Sequence, residues 1–172
     1  MRPEFIKHWS ELEAKDAKSY EDSDEPMCIE APLGRALGLT RIGINHERLL
    51  PGHRTSYPHA ESAEEEFIYV LEGSPHAWIN GYLHQLSPGD AVGLPAGTGI
   101  CHTFINNSAN EVRLLVVGEA SKAENRIHYP KNPRYELTRD DRWISPPEQA
   151  FGGHDGLPDV RPGDEGSLPA SR

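Results

Sequence analysis

Six short β-rich segments recur between residues 66 and 119, and a turn signal separates each one from the next. The segments are Phe67–Leu71, His76–Ile79, Tyr82–Leu86, Ala91–Leu94, Cys101–Ile105 and Val112–Val117. Asn80-Gly81 separates the second segment from the third, and both residues tolerate the positive φ of a two-residue hairpin turn. Short strands at such regular spacing predict an all-β fold, either a sandwich or a barrel.

The rest of the chain is organised around this β-rich region. A length of 172 residues suits one domain with a core of its own. Residues 1–36 predict an N-terminal arm or short helix, residues 37–120 the barrel, which begins with one or two strands before residue 50, and residues 121–151 an extended C-terminal strap. In residues 152–172 Gly, Pro, Asp and Ser dominate, which predicts a disordered tail because little apolar surface is left to offset the ordering entropy.

Charge and cysteine content exclude several classes of protein. The formal net charge is -10, and the sequence has no run of basic residues, which argues against a nucleic-acid or anionic-membrane partner. No apolar segment is long enough to span a bilayer, and residues 1–10 carry charges without an apolar signal region. The only cysteines, Cys28 and Cys101, form neither a disulfide framework nor a zinc-type pair. These features predict a cytoplasmic protein.

Three potential metal ligands lie just before and at the start of the first of these strands. His59 and Glu61 are two residues apart, so an extended backbone places them on the same side. Glu66 shares a strand face with Ile68 and Val70, a face that we expect to form the barrel interior. These three donors can therefore converge.

A fourth donor comes from a later strand, where His102 shares a face with Phe104. Together the four residues would offer two imidazoles and one or two carboxylates. Such mixed nitrogen and oxygen ligation suits Fe(II), Mn(II), Ni(II) or Zn(II), and it leaves coordination positions open for water or substrate. Cys101 is expected on the opposite strand face as a buried structural thiol, and Tyr57 and His84 are weaker candidates for acid or base groups in the cavity.

Both ligand segments resemble known motifs. The segments Pro51-Gly52 to Gly73 and Gly89 to Asn106 resemble the two conserved motifs of the cupin superfamily, in the same order and at a similar separation. The resemblance covers residues 37–119. It extends to a bacterial single-domain group of cupin type 2 that carries Ala-Glu-Glu-Glu-Phe before the strand and Pro-Ala-Gly-Thr-Gly after it.

This resemblance implies a fold, a ligand set and an assembly. The implied fold is a double-stranded β-helix, or jelly-roll, barrel, and the implied assembly is a homodimer. The implied metal ligands are His59, Glu66 and His102, and the second histidine of the family motif falls on Glu61. Glu61 can ligate the metal through oxygen, act as a base beside a three-ligand metal, or indicate that metal binding has weakened. His102 lies two residues later, relative to Pro95-Ala96-Gly97, than the family spacing.

Two functions from different classes follow from these residues. The first is a metalloenzyme with an open-sited divalent metal that acts on a small polar metabolite, by the lyase, isomerase or dioxygenase chemistry known among cupins, with Glu61 moving a proton. The alternative is a non-catalytic cupin that binds a metal or small molecule as a sensor or store. An enzyme needs a second acid or base in the cavity that is not a metal ligand, whereas a binding protein does not.

Overall fold

The structure, a computed structural model, describes residues 2–160. Within these residues the chain forms strands β1 (Ile29–Ala31), β2 (Ile42–Leu49), β3 (Ala60–Glu61), β4 (Glu66–Glu72), β5 (His76–Ile79), β6 (Tyr82–Gln85), β7 (Ala91–Leu94), β8 (His102–Ile105), β9 (Val112–Glu119) and β10 (Ile127–His128). Two short helices, α1 (Leu33–Ala36) and α2 (Pro133–Leu137), and a single 3-10 turn at Trp9–Glu11 complete the secondary structure.

Two antiparallel sheets enclose the core. The larger sheet has the order β1-β2-β9-β4-β7 and the smaller one the order β6-β5-β8, while β3 pairs with β10. Ile68 and Leu114 from the larger sheet pack in one buried cluster with Ala77 and Phe104 from the smaller sheet. The prediction of an all-β barrel is therefore confirmed.

The turns predicted from the sequence separate the strands. Asn80 and Gly81 have φ values of 46° and 85°, as a two-residue hairpin of this type requires, and Ile79 pairs with Tyr82 across the turn. A Cβ atom on Gly81 would lie only 2.5 Å from the carbonyl oxygen of Gly152. This glycine is therefore needed both for the turn and for the close approach of a later segment.

Strand β2 runs along the whole of β9, with register partners from Ile42–Glu119 to Leu49–Val112. It is the single strand within the region where one or two strands were predicted. Side chains alternate along it, so Asn45, Glu47 and Leu49 share the interior face. Ile42, on the other face, is 42% exposed. The interior of this strand is thus partly polar, which matters for the site described below.

The N-terminal segment is an arm that lies along β1. Ala14 N–H donates to the carbonyl oxygen of Glu30 at 2.9 Å, and Lys18 N–H donates to that of Cys28 at 3.1 Å. An ion pair between the side chains of Lys18 and Glu30 adds to this contact. Backbone pairing, rather than an amphipathic helix, therefore fastens the arm to the sheet.

Residues 152–160 also lie against the barrel. Gly152 N–H donates to the carbonyl oxygen of Asn80 at 2.7 Å, and the indole N–H of Trp78 donates to that of His154 at 3.0 Å. Residues 152–160 belong to the segment that was expected to be a disordered tail, and these hydrogen bonds, which composition does not reveal, place them against the barrel. The rest of that predicted tail, residues 161–172, lies outside the described residues, and the domain boundaries stay predictions. None of the described helices is both long and apolar enough to cross a membrane.

Candidate metal centre

His59 and His102 are direct neighbours on two antiparallel backbone segments. His59 N–H donates to the carbonyl oxygen of His102 at 3.1 Å, and His102 N–H donates to that of His59 at 2.9 Å. Their ring centroids are 4.6 Å apart. His59 immediately precedes β3, and His102 is the first residue of β8. Backbone pairing thus holds the two imidazoles side by side.

Glu66 completes a group of three. It is the first residue of β4 and shares the interior face with Ile68 and Val70, both 1% exposed. One carboxylate oxygen of Glu66 lies 2.8 Å from Nε2 of His102. His59, Glu66 and His102 each offer a ligand atom, and these atoms lie within 4.8 Å of one another, so the group could hold a metal ion.

A neighbouring carbonyl group fixes the ring of His59. Nδ1 of His59 lies 2.9 Å from the carbonyl oxygen of Tyr57. A carbonyl oxygen can only accept, so Nδ1 carries the hydrogen, and in the neutral ring Nε2 keeps a free lone pair. Metal-binding histidines are commonly oriented by such a contact. The backbone at Tyr57 therefore prepares His59 to ligate through Nε2.

The environment favours the protonation states that a metal needs. Burial, followed by the charge of His102, lowers the pKa of His59 to about 4, so this ring is neutral at physiological pH. Burial alone would raise the pKa of Glu66, but the hydrogen bond and charge of His102 outweigh it, so the pKa lies below its usual value. A neutral imidazole and an ionised carboxylate are the forms that ligate metals.

The donor set fits a divalent cation. Two nitrogens and one oxygen suit Fe(II), Mn(II), Ni(II) or Zn(II), and three protein ligands leave coordination positions open. The short contact between Glu66 and His102 is bridged by a proton when no metal is bound. A divalent cation can replace that proton, because both atoms are lone-pair donors once it has left.

Glu61 lies beside this group but outside it. It is the last residue of β3, where it pairs with Ile127, and it is not among the three convergent ligands. Burial, followed by the charges of Glu66 and Glu64, raises the pKa of Glu61 to about 8. The carboxyl group therefore holds a proton far more strongly than an exposed one. Whether it ligates or acts as a base stays a prediction.

A small cavity of about 160 Å³ opens beside Glu66. It is lined by residues of β2, β3 and β9 and by residues 64 to 66 at the start of β4, namely Gly43, Asn45, Glu61, Glu64, Glu65, Glu66, Val116, Gly118 and Glu119. Five of these nine residues are glutamates. The cavity therefore gives a small molecule a route to one side of the candidate ligand group, past a wall of carboxylates.

Glu47 is a buried acid that the sequence analysis did not identify. It is only 7% exposed, and its Oε2 atom has no hydrogen-bond partner. Burial, followed by the charge of Glu66, raises its pKa to about 7. The only signal in the sequence was the alternation of Asn45, Glu47 and Leu49, which places an acid on an interior face.

Comparisons with known proteins identify the family. A family model described as the cupin domain matches residues 45–118. A sugar phosphate isomerase of the cupin superfamily from Silicibacter pomeroyi is 30% identical, with 62% of this chain and 73% of that chain covered and a TM-score of 0.57. The chain belongs to the cupin superfamily. The resemblance of its two motifs to those of cupins is therefore confirmed.

Further solved structures are similar in fold. A proposed sugar phosphate isomerase from Acidithiobacillus ferrooxidans is 25% identical, with 75% of this chain and 83% of that chain covered and a TM-score of 0.67. A polyketide cyclase from Streptomyces resistomycificus, 24% identical with 79% and 94% covered and a TM-score of 0.55, shares the fold. A comparison with proteins of curated function finds no match.

The weaker candidates from the sequence, Tyr57 and His84, are not part of the convergent ligand group. The side chain of Tyr57 is buried, stacks on Tyr20 at 3.8 Å between ring centroids and donates to Asp22 at 3.2 Å. His84 is exposed on β6. Cys101 is 1% exposed and free, as expected of a structural thiol.

Proposed function

We propose that this cupin is a metal-dependent enzyme that acts on a small polar metabolite by lyase, isomerase or dioxygenase chemistry. One divalent ion of Fe, Mn, Ni or Zn would be held by His59, Glu66 and His102. The convergence of these three ligand atoms within 4.8 Å carries the proposal. The Silicibacter relative, described as a sugar phosphate isomerase, favours the isomerase class among the three.

The acids beside the ligand group support an enzyme over a sensor or store. A catalyst that moves protons needs a group that is not occupied by the metal, whereas a binding protein does not. Glu61 lines the cavity next to Glu66 without belonging to the convergent group, and Glu47 lies on the interior face of β2. The cavity thus has acid or base groups available in addition to the ligands.

Each residue then has a defined task. A bound divalent ion would supply Lewis-acid polarisation of a substrate oxygen. His59 is held in one tautomer by the carbonyl oxygen of Tyr57, and Glu66 brings the one negative charge of the ligand set. Glu61, at the cavity wall, would exchange a proton with the polarised substrate.

Replacement of Glu61 by glutamine tests this assignment. We expect the untagged wild type and the Glu61→Gln variant to contain close to one metal ion per chain by plasma mass spectrometry. Turnover of a substrate found by screening the metal-loaded wild type should fall about 100-fold or more in the variant, the range typical of a lost acid–base catalyst.

The possible results separate the alternatives. Unchanged turnover would remove Glu61 from the mechanism, and loss of the metal from the variant would make Glu61 a ligand instead. Wild-type protein that contains no metal and takes up none would contradict the enzyme proposal and favour the non-catalytic cupin. A variant that replaces an exposed acid outside the cavity, Glu148→Gln, should match the wild type in both measurements.

We also propose that the protein is a homodimer formed through the outer face of the larger sheet. β4 lies inside this sheet, between β9 and β7. Its outward side chains Phe67, Tyr69 and Leu71 are nevertheless 43%, 37% and 43% exposed. Contiguous exposed apolar patches of this kind are typical of association surfaces. A second copy would cover them.

Light scattering at micromolar concentration tests the dimer. We expect the wild type to give about twice the chain mass of 19.1 kDa, and Tyr69→Glu/Leu71→Glu to give the mass of one chain, because burying two carboxylates at the interface is costly. Tyr82→Glu, which alters an exposed aromatic residue on the smaller sheet, should leave the dimer intact. A monomeric wild type would contradict the proposal. The cytoplasmic location and the lack of a nucleic-acid partner stay predictions.

A further inference from the structure

We propose that the cavity beside the metal site selects small neutral or cationic molecules that carry hydroxyl or ammonium groups, and that it excludes phosphate esters. The inference rests on the proposed metal function, since it specifies the substrate class of the same site. It depends on the charges along the cavity wall and on one unsatisfied carboxylate deeper in the barrel.

The cavity wall offers hydrogen-bond acceptors and negative charge. Besides Glu66, the carboxylates of Glu64, Glu65 and Glu119 line it, together with the carboxyl group of Glu61, and its remaining wall residues, Gly43, Asn45, Val116 and Gly118, are uncharged. Clefts lined by charges of one sign concentrate ligands of the opposite sign and repel those of the same sign. A phosphate ester would meet these carboxylates on its way to the metal.

The nearby lysine is already occupied. Nζ of Lys122 lies 2.5 Å from a carboxylate oxygen of Glu119 and 2.7 Å from the carbonyl oxygen of Ala63. Its backbone N–H also donates to Glu64, at 2.5 Å. Lys122 therefore offsets part of the acidic wall but is held by partners of its own. Among the residues that line the cavity, none is an arginine or a lysine.

Glu47 does not line the cavity itself, but it is the next acid that a ligand reaching past Asn45 would meet. It lies on the same interior face of β2 as Gly43 and Asn45, which line the cavity, and two residues deeper than Asn45. Its Oε2 atom is buried without a partner, while the thiol of Cys28 hydrogen-bonds to the same carboxyl group. Buried polar atoms in native proteins almost always have hydrogen-bond partners. In its ionised form this oxygen can accept a hydrogen bond from a hydroxyl or ammonium group of a ligand, whereas a phosphate dianion has no hydrogen to donate.

This chemistry differs from that of phosphate sites. Proteins bind phosphate groups with arginine or lysine side chains or with the N–H groups at helix N-termini. The cavity lining consists of strand residues and of the segment that precedes β4, and it provides neither feature. The phosphate in the description of the Silicibacter relative is therefore not expected in the substrate of this cupin.

Three probes that share a 1,2-diol test the inference, because they differ only in the group on the third carbon, which is cationic, neutral or anionic. They are 3-amino-1,2-propanediol, glycerol and glycerol 3-phosphate, and their binding to the Mn(II)-loaded protein can be followed by water-proton relaxation at low salt. We expect the amine to bind most tightly and the phosphate ester most weakly, with at least about a tenfold difference between these two. Added salt should reduce the difference.

Variants identify the groups responsible. Glu64→Gln/Glu65→Gln should narrow the preference for the amine over the phosphate ester, because the wall loses two charges. Glu4→Gln/Glu148→Gln removes the same charge from exposed positions outside the cavity and should leave the preference unchanged. Glu47→Gln should weaken binding of the amine while the metal stays bound.

The metal content of each sample separates this inference from the proposed function. Glycerol 3-phosphate that binds as tightly as the amine, or no probe binding at all, would overturn the inference if close to one Mn(II) per chain is retained. Failure of the wild type to retain Mn(II) would overturn both proposals. If both double variants reduced the preference for the amine equally, the inference would also be contradicted, because the preference would then reflect the net charge of the protein alone.

Discussion

We expect His59→Ala and His102→Ala each to remove the bound metal from this cupin. The three ligand atoms lie within 4.8 Å of one another, so loss of either imidazole leaves only one nitrogen and one oxygen. Changes to residues that merely support a metal ligand reduce affinity about 10- to 100-fold, so loss of a ligand should cost more than about 100-fold. Metal content after dialysis and titration with Mn(II) or Zn(II) measure both effects.

The comparison needs a control for folding. His102→Ala also removes the hydrogen-bond partner of the buried Glu66, which is expected to lower stability. Circular dichroism must therefore show that each variant is folded before its metal content is compared. His84→Ala replaces an exposed histidine on β6 and should retain the metal. Retention of metal by a folded His102→Ala variant would contradict the proposed ligand set.

Most of the barrel could be predicted because short local sequence motifs determine its turns. Asn80-Gly81 has only a few backbone conformations available, and they match the hairpin between β5 and β6. Strands β1 and β10 and the helices α1 and α2 were not predicted. They have only two to five residues each and are fixed by partners distant in sequence, such as β2 for β1. Propensity carries little information over so short a segment.

The candidate site was predictable to a similar extent. His59, Glu66 and His102 follow from two motifs and from strand alternation, and the structure brings them together. Glu47 could not be identified in this way. It lies between the polar residues His46 and Arg48, and a glutamate in such a setting usually faces the solvent. It is buried because it lies on the inward face of β2, between Asn45 and the fully buried Leu49, while Ile42 lies on the outward face. Functional cavities reverse the usual pattern at such positions.

Replacement of Glu47 by glutamine should stabilise the metal-free protein at high pH. Burial and the charge of Glu66 raise the pKa of Glu47 from 4.5 to about 7 on folding. Between these values the unfolded chain loses its proton while the folded protein keeps it, so stability falls as pH rises. The full cost is present above the folded pKa and amounts to roughly 3 kcal/mol, given the 1.36 kcal/mol per pKa unit. A neutral amide of the same shape does not ionise and therefore carries no such cost.

The pH dependence, rather than the absolute stability, decides this prediction. Urea unfolding after chelator treatment should give a difference between Glu47→Gln and wild type that is smallest near pH 4.5 and grows by roughly 3 kcal/mol by about pH 8. Any packing or hydrogen-bond penalty of the new amide changes the stability difference by the same amount at both pH values. The increase between pH 4.5 and about pH 8 is therefore unaffected. Glu148→Gln, at an exposed position, should show no such trend. A pH-independent difference would mean that Glu47 is already ionised at low cost, because an unseen donor satisfies its buried oxygen.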